Sequence, residues 1–284
     1  KLVIYNDILL SNYWIGKSII ENNQTILSEN DVDFVLTRHR NIEYRDFIQK
    51  NFNDIYYTDD ENEWLDMVIE NIFRLEDKNK KAIAFNALFQ SCIAKRPFNL
   101  FHRKNLYVRF AEVERSFGNK VSWDKPFQDH FKKFVDEINS LVVNNQKYNV
   151  ALNKDAFDLP IDYDLVYIDT PYISAHINIG VDYRDFYHFL EGIVNYDKWD
   201  SMIDQKSKHK RLKKEYCIWT DKRSIVSAFD NLFNKFKDSI IVVSYRSGGI
   251  PNKEEMLKLL KKYKKNVKIV EKNFKYVLSH NVGS

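Results

Sequence analysis

Residues 165–172 read Leu-Val-Tyr-Ile-Asp-Thr-Pro-Tyr, and this stretch decides the fold. The apolar run Leu165–Ile168 is typical of a short buried strand. It stops at a carboxylate, Asp169, which is followed by a proline turn and the aromatic ring of Tyr172. Ligands of open α/β sheets bind at the carboxyl ends of the strands. The pattern therefore predicts a buried strand that presents Asp169 and Tyr172 at a binding edge.

The rest of the chain falls into two regions with different sequence patterns. Residues 31–148 favour helices, as in the repeat of Trp64, Val68 and Ile72 at helical spacing. From Asn149 onward, apolar strands alternate with amphipathic helices. The predicted strands are Asn149–Leu152, Leu165–Ile168, Ile240–Ser244, Val267–Val270 and Phe274–Ser279. Such alternation predicts an α/β fold with a mostly parallel sheet.

Composition narrows the class of protein. The 284 residues are 44% hydrophobic and 15% aromatic, which are globular values without a signature of disorder. No apolar stretch approaches the roughly 20 residues that a membrane span needs, so we expect no membrane segment. Cys92 and Cys217 lie in apolar patterns and are predicted to be buried free thiols, and their spacing offers no zinc site. We expect a cytoplasmic protein.

The net charge of +4 is modest, but the basic residues are clustered. Residues 206–214 carry six Lys or Arg side chains and no acid. Lys258–Lys265 forms a second basic stretch. A lysine run is usually a solvated surface, and a one-sided basic face that binds a polyanion is the alternative. The sequence leaves both interpretations open.

The tetrad Asp169–Tyr172 resembles the signature of amino-group DNA methyltransferases of the adenine-N6 type, in the D12 class found in restriction–modification systems. The resemblance extends in order from about Val3 to Asn281. Further matching blocks are residues 85–109, Arg115–Lys120 with Trp123, Asp182–Gly192 and Ser244–Pro251. It implies a Rossmann-like methyltransferase sheet, formed by residues 1–30 and 149–284. Residues 31–148 would then be a mainly helical insertion that takes part in DNA recognition.

The resemblance assigns roles to the tetrad. Asp169 and the carbonyl of Thr170 would accept hydrogen bonds from the exocyclic amine of an adenine. Those bonds draw the amine nitrogen toward tetrahedral geometry, so that its lone pair can attack a methyl group. Pro171 would fix the turn and Tyr172 would stack on the extruded base. Many family members have proline at the position of Thr170, and a backbone carbonyl serves the same purpose there.

The resemblance also implies S-adenosylmethionine as cofactor, with double-stranded DNA as partner. Asp7 and Ile8 follow the first strand, where the family binds the cofactor ribose, although an Asp at a strand end is more often a helix cap. Asp155 and Phe157 match the segment beside the cofactor adenine. Taken alone, Asp155 is equally typical of an acidic residue in a turn. Basic and aromatic residues are interleaved around Arg96, His102, Arg103 and Lys104, which are therefore expected DNA contacts. Arg246 is a further expected DNA contact, because the turn Tyr245–Gly249 could present Arg246 or Tyr245 to the pocket of the flipped base.

One element of the family is missing from this sequence. Among its seven glycines no pair is spaced Gly-x-Gly, whereas the family opens with a Gly-rich loop around the methionine end of the cofactor. Lys1–Asp7 instead resembles the strand that follows that loop. We therefore expect part of a longer polypeptide, and weak binding of S-adenosylmethionine by this segment alone.

The leading hypothesis is thus an adenine-N6 DNA methyltransferase that protects DNA from a cognate restriction endonuclease, which could also be part of the same polypeptide. A non-catalytic DNA-binding or specificity module with the same fold is one alternative. Methylation of an RNA adenine or a protein amide is another, because related tetrads serve both.

Overall fold

The computed structural model describes residues 1–113, 120–175 and 182–272, and the chain folds as two compact units. The first unit comprises residues 1–155 and 184–214. The second unit comprises residues 156–183 and 215–284. The sequence predicted different boundaries, with residues 1–30 and 149–284 in one domain and residues 31–148 in another. That division stays a prediction.

The first unit is mainly helical. Its elements are β1 (Ile4–Asn6), α1 (Leu10–Gly16) with a π-helical turn (Lys17–Glu21), α2 (Glu29–Leu36), α3 (Phe47–Asn51), α4 (Asp59–Arg74), α5 (Lys78–Ala94), α6 (Tyr107–Phe110), α7 (Lys120–Asp124), α8 (Phe127–Ser140), β2 (Val150–Leu152), α9 (Tyr183–Val194) and α10 (Trp199–Met202). The prediction that residues 31–148 are mainly helical is thereby confirmed for the described residues. Strand β1 pairs with β2 in parallel, with Ile4 opposite Val150.

Local chemistry explains where the long helices begin and end. Thr58 and Glu61 form a capping box at the start of α4, and acidic side chains fill its first turn. Asp77 caps α5 by accepting hydrogen bonds from two backbone amides. Helix α5 ends shortly before Pro97, as predicted. The side chains of α4 and α5 form the centre of the first unit's apolar core.

The second unit alternates strands and helices. Its elements are β3 (Leu165–Ile168), β4 (Ile173–Ser174), α11 (Ile225–Lys235), β5 (Ile240–Val243), β6 (Gly249–Ile250) and α12 (Lys253–Tyr263). Strand β3 pairs in parallel with β5, and β4 pairs with β6 in the antiparallel sense. The capping box of Asn252 and Glu255 opens α12, as the sequence predicted. A small core of side chains from β3, α11 and α12 holds this unit together.

The structure corrects several predictions. The described strands form three two-stranded pairs, and the single Rossmann-like sheet stays a prediction. The segment Val267–Val270 is irregular and mostly exposed, because a strand needs a hydrogen-bonded neighbour and this segment pairs with none among the described residues. Cys92 is a buried free thiol as predicted, whereas the free Cys217 is only half-buried. The predicted strand Phe274–Ser279 and most of the block Arg115–Lys120 lie outside the described residues.

Gly192 offers a direct test of the packing of the first unit. A Cβ atom at this position would lie 1.8 Å from Cε2 of Trp199, which is fully buried against Phe47, Phe52 and Phe189. Overpacking of this kind typically destabilises by about 1–3 kcal/mol. Replacing a mid-helix glycine by alanine would by itself stabilise by about 1 kcal/mol. Because the indole cannot move aside, we expect Gly192→Ala to lower the free energy of unfolding, measured by urea titration.

The matched control for this prediction is the double variant Gly192→Ala with Trp199→Phe, which removes the obstructing ring atoms. The two substitutions should be strongly non-additive in a double-mutant cycle. A stabilised Gly192→Ala protein would show that Trp199 does not pack on α9 as described.

Candidate active site

The tetrad lies at the carboxyl end of a parallel strand pair, where the sequence placed it. Asp169 follows the last residue of β3, and Ser244 follows the last residue of β5. The backbone amide of Ser244 donates a hydrogen bond of 3.0 Å to the carbonyl of Ile168, which continues the parallel ladder to its edge. Residues 169–172 and 244–246 therefore leave the same edge of the second unit's strand pair.

The polar groups of the tetrad are available for a ligand. Asp169 is exposed, and partial desolvation raises the pKa of its carboxyl above the ordinary value. The hydroxyl oxygen of Thr170 is buried and has no hydrogen-bond partner among the described residues. Pro171 and Tyr172 are half-buried. The segment thus presents a carboxylate, an unsatisfied hydroxyl and an aromatic ring within four residues.

A second segment, Ser244–Ile250, is held against the tetrad by the antiparallel pairing of β4 with β6. The ring of Tyr245 meets the ring of Tyr172 edge-on, with centroids 6.5 Å apart. The guanidinium carbon of Arg246 lies 5.0 Å from the centroid of Tyr172, over the ring. Sequence analysis expected this turn to present Arg246 or Tyr245 to the pocket of the flipped base, and in the structure both side chains contact the aromatic residue of the tetrad.

A separate polar cluster lies in the first unit, at the carboxyl ends of β1 and β2. The side-chain amide of Asn153 donates hydrogen bonds to the carbonyls of Asp7 and Ile8, at 2.9 and 2.8 Å. The side chain of Asn6 binds both the amide and the carbonyl of Lys154. These bonds hold residues 6–8 beside residues 153–155. The structure therefore brings together three of the predicted cofactor residues, Asp7, Ile8 and Asp155.

Asp7 is an ordered carboxylate. Its two oxygens accept hydrogen bonds from the amide of Leu9, at 2.8 Å, and from the side chain of Asn12, at 2.9 Å. Burial is the largest influence on its carboxyl and raises the pKa. Each carboxylate oxygen keeps a further lone pair for a ligand. Beside it Ile8 is 66% exposed, so that a charged and an apolar surface adjoin.

Phe157 lies in the second unit rather than the first. Its ring is parallel to that of Trp219, with centroids 5.9 Å apart. The ammonium group of Lys235 donates to the carbonyl of Phe157. Sequence reasoning missed Trp219 because the residues around it show no periodic pattern. It also missed Asn153, although a polar residue directly after a predicted strand is the same signal that identified Asp7.

Arg96 corrects the predicted DNA face. Its side chain is fully buried, and its guanidinium donates hydrogen bonds to the carbonyls of Leu100 and Arg103. The guanidinium carbon lies 4.2 Å from the ring centroid of Tyr56. Burial lowers the pKa of Arg96 to about 10, which leaves it charged at neutral pH. Arg96 therefore shapes the loop from inside and cannot reach DNA directly.

The other predicted basic residues lie nearer the surface. Arg103 and Lys104 are exposed, and Lys104 forms an ion pair of 2.7 Å with Asp54. His102 is half-buried and accepts a hydrogen bond from the guanidinium of Arg103. Burial, and next the charge of Arg103, lowers the pKa of His102 to about 4, so this ring is neutral at physiological pH.

The structure joins the loop around Arg103 to the basic run at residues 206–214. The hydroxyl oxygen of Tyr56 lies 2.5 Å from the carbonyl of Phe101 and 3.0 Å from the carbonyl of His209. Both segments thus meet at one buried hydroxyl. Their exposed cations form what we call the basic surface, which consists of Arg103, Lys104, Lys206, Lys208, Lys213 and Lys214.

No group of His, Cys, Asp and Glu side chains suited to a metal ion occurs in the described parts of the chain. The same residues contain no helix that is both long and apolar enough to cross a bilayer.

An α/β protein whose parallel strand ends present Asp-Thr-Pro-Tyr fits an enzyme or binding protein for a flat polar ligand. Comparison with known proteins supplies the class. The chain is 30% identical over 277 residues to the type II methyltransferase M2.HphI of Haemophilus parahaemolyticus, covering 95% of the chain and 76% of that protein. It is 26% identical to the modification methylase StsI of Streptococcus sanguinis and 24% identical to the type II methyltransferase M.FokI of Planomicrobium okeanokoites.

The chain therefore belongs to the DNA methyltransferases of type II restriction–modification systems, as the sequence resemblance indicated. It spans about two fifths of StsI and M.FokI, at 39% and 40% of their lengths. No family model matches it, and no solved structure is significantly similar.

The histidine beneath the basic surface leads to a prediction about pH. Nε2 of His188 lies 2.7 Å from the hydroxyl of Tyr56 and 3.0 Å from the carbonyl of Phe101. Burial, and next the neighbouring His209, lowers the pKa of His188 to about 3. Because the unfolded chain protonates this ring near pH 6.5, the stabilisation is present above that pH and is lost as the pH falls toward 3. We expect the free energy of unfolding to fall by about 1.36 kcal/mol per pH unit from this group alone.

His188→Gln is the control, because glutamine keeps a polar nitrogen at the position of Nε2 without titrating. Asp66 has the opposite effect on stability, because burial raises the pKa of its carboxyl to about 6. The contribution of His188 is therefore read from the difference in pH dependence between the unchanged chain and His188→Gln. Urea titrations at pH 7.5 and 5.0 should show a smaller loss in His188→Gln. Equal losses would mean that His188 is not buried neutral.

Proposed function

We propose that this chain carries the catalytic residues with which a DNA methyltransferase transfers a methyl group from S-adenosylmethionine to the exocyclic amine of adenine in DNA. The observation that supports this best is the tetrad itself, at the carboxyl edge of β3, with an exposed carboxylate and a half-buried tyrosine ring. The proposal refines the established membership among type II DNA methyltransferases by naming the base and the methyl donor.

The tetrad suits an aromatic amine as substrate. The lone pair of such an amine is conjugated with the ring and is a poor nucleophile. A carboxylate at Asp169 and the carbonyl of Thr170 accept the two amine protons as hydrogen bonds, which favours a tetrahedral nitrogen. Pro171 fixes the backbone of the turn, so that both acceptors are in place before the reaction. Tyr172 offers a flat ring for a base that has left the duplex.

The raised pKa of Asp169 is relevant to this role. A partly desolvated carboxylate binds an N–H donor more strongly than a fully solvated one, because less water competes for it. It also stabilises the positive charge that develops on the amine nitrogen during attack. After transfer, the same carboxylate is placed to accept the surplus proton.

The residues of the first unit fit an adenosyl group. Asp7 is held in place by two hydrogen bonds and retains lone pairs for ribose hydroxyls. Ile8 presents an exposed apolar surface, and the exposed Asp155 lies close to it in the same cluster. We assign Phe157 to the adenine ring as well, supported by its half-buried aromatic ring, which already lies parallel to the ring of Trp219. S-adenosylmethionine supplies an electrophilic methyl group when bound.

We also propose that the two parallel strand pairs belong to one Rossmann-like methyltransferase sheet. In both pairs, the candidate ligand residues follow the carboxyl ends of the strands. That is where open α/β sheets bind their ligands. Residues 1–30 and 149–284 would form this catalytic domain, with residues 31–148 as the helical insertion.

Double-stranded DNA is the proposed partner of the basic surface. Its six exposed cations come from two segments that are joined through Tyr56, and exposed cations make the phosphate contacts that dominate DNA affinity. A restriction endonuclease of the same system, or a further part of the same polypeptide, is the second partner that we propose. The cytoplasm, where the genome is methylated, is the proposed location.

The two alternatives predict different reaction products. A non-catalytic specificity module would bind DNA without any transfer of methyl groups. A methyltransferase acting on RNA or protein would leave DNA unlabelled. Incubation with radiolabelled S-adenosylmethionine and unmodified genomic DNA, followed by nucleoside analysis, distinguishes all three, and the proposal requires N6-methyladenine.

Asp169→Asn tests the chemistry. Asparagine keeps the shape of the side chain but removes the charge that stabilises the amine in the transition state. We expect kcat to fall by about 100- to 1000-fold, while DNA affinity stays within about twofold. The matched control is Asp164→Asn, an exposed aspartate at the opposite end of β3, which should leave kcat unchanged. Near-normal turnover in Asp169→Asn would rule out the proposed role of the tetrad.

Charge removal tests the basic surface. Arg103→Gln, Lys208→Gln and Lys214→Gln should each reduce the slope of log affinity against log salt by about 0.9 if the residue contacts a phosphate. Lys132→Gln, an exposed lysine of α8 outside the basic surface, is the control. Arg96→Met should instead destabilise the fold and leave the slope unchanged, because Arg96 is buried. Unchanged slopes in all three surface variants would place the DNA elsewhere.

A further inference from the structure

A cationic group already lies over the ring of Tyr172 in this structure. The guanidinium of Arg246 lies over it, with Cζ 5.0 Å from the ring centroid. A guanidinium is planar and delocalised, and it stacks on aromatic faces much as a nucleobase does. The face on which Arg246 lies is therefore one of the two faces that the tetrad could offer to a base.

The turn at residues 245–249 is shaped to bring Arg246 to this position. The pairing of Ile173 with Ile250 fixes the turn only one residue from Tyr172. Gly248 has a φ of 69°, in the left-handed region that favours glycine. At Gly249, a Cβ atom would lie 2.7 Å from the ring of Tyr245 and 3.4 Å from Cγ of Arg246. Side chains are thus excluded from the turn where Tyr245 and Arg246 pack.

Arg246 is only weakly retained on the ring. Its Nε donates a hydrogen bond of 3.3 Å to the neighbouring carbonyl of Ser247, a contact that moves with the turn. Among the described residues, it forms no ion pair with a carboxylate. Ser247 and Gly248 are exposed. The contact with Tyr172 is therefore one that a better stacking partner can replace.

The charge of Arg246 is unfavourable beside a reacting amine. Attack by the amine places positive charge on its nitrogen, and a neighbouring guanidinium would raise the energy of that transition state. A resting position on the ring is compatible with the reaction only if the guanidinium leaves when the base arrives. The phosphates of the DNA offer the displaced cation a strong alternative partner.

We infer that Arg246 is a placeholder for the substrate base: its guanidinium covers Tyr172 in the free protein and moves to a DNA phosphate when the flipped adenine stacks there. This inference rests on the proposed function, because it assumes that Tyr172 stacks on the base. Arg246 is then a positioning residue, which competes with the base for Tyr172 and strengthens the binding of DNA.

Two opposite effects of one substitution distinguish this role from others. Deoxyadenosine carries a base without a phosphate, so Arg246→Ala should bind it about fivefold more tightly than the unchanged chain does, because the competitor is gone. Duplex DNA carries phosphates, so the same variant should bind DNA more weakly. A residue that only supports the fold would weaken both, and a simple phosphate contact would leave deoxyadenosine binding unchanged.

The measurements are ligand-observed NMR titration with deoxyadenosine and filter binding with genomic DNA, on the full chain. Arg246→Lys should lie between the two proteins, since an ammonium group stacks less well than a guanidinium. Arg223→Ala removes an exposed arginine of the same unit and should change neither quantity. Tyr172→Ala should remove the part of deoxyadenosine binding that occurs at the tetrad, and any binding that remains in this variant belongs to the proposed adenosyl site.

The outcomes separate the two proposals. Binding of deoxyadenosine that depends on Tyr172, without a gain in Arg246→Ala, overturns the placeholder role and leaves the adenine pocket standing. A lack of deoxyadenosine binding in every protein overturns both. The Asp169→Asn assay of methyl transfer then reports independently on the tetrad.

Discussion

The parallel pairing of β3 with β5 is the constraint on which the candidate active site depends. It aligns the carboxyl ends of two strands that are far apart in sequence, and the hydrogen bond from Ser244 to Ile168 extends that alignment to the edge. Asp169 and Tyr245 can meet around one ligand only because both strands end at the same level. The short pairing of β4 with β6 then folds the two following segments together. Two backbone ladders thus position the side chains before any side-chain contact contributes.

The sequence was sufficient to predict those parts of the structure that a local pattern encodes. An apolar run that stops at Asp169 identifies both the strand and its functional end, because burial and polarity change at adjacent residues. The caps of α4 and α12 could be predicted for a similar reason, since capping is decided within four residues. The resemblance to adenine methyltransferases identified the family, which composition and charge alone would not have done.

Sequence reasoning was wrong for Arg96, and silent on other features, where long-range contacts decide the outcome. Arg96 has the sequence context of a surface cation, but its partners are the carbonyls of its own loop and the ring of Tyr56, which no local pattern indicates. The position of Arg246 over Tyr172 depends on a two-residue pairing too short to show alternation. Likewise, the basic run at residues 206–214 is connected to the loop of Arg103 through the buried hydroxyl of Tyr56. Each of these features is tertiary in origin.

Burial of Arg96 and exposure of Arg103 are consequences of the same arrangement. A loop rich in lysine and arginine repels itself, and it adopts a fixed shape only if other contacts outweigh that repulsion. Arg96 supplies such contacts by donating hydrogen bonds to the carbonyls of Leu100 and Arg103, so that the loop closes around its guanidinium. Tyr56 and a neutral His188 then attach the closed loop to the run at residues 206–214. The polar interior therefore organises the surface charge, and a cation that never touches DNA determines where those that could do so are displayed.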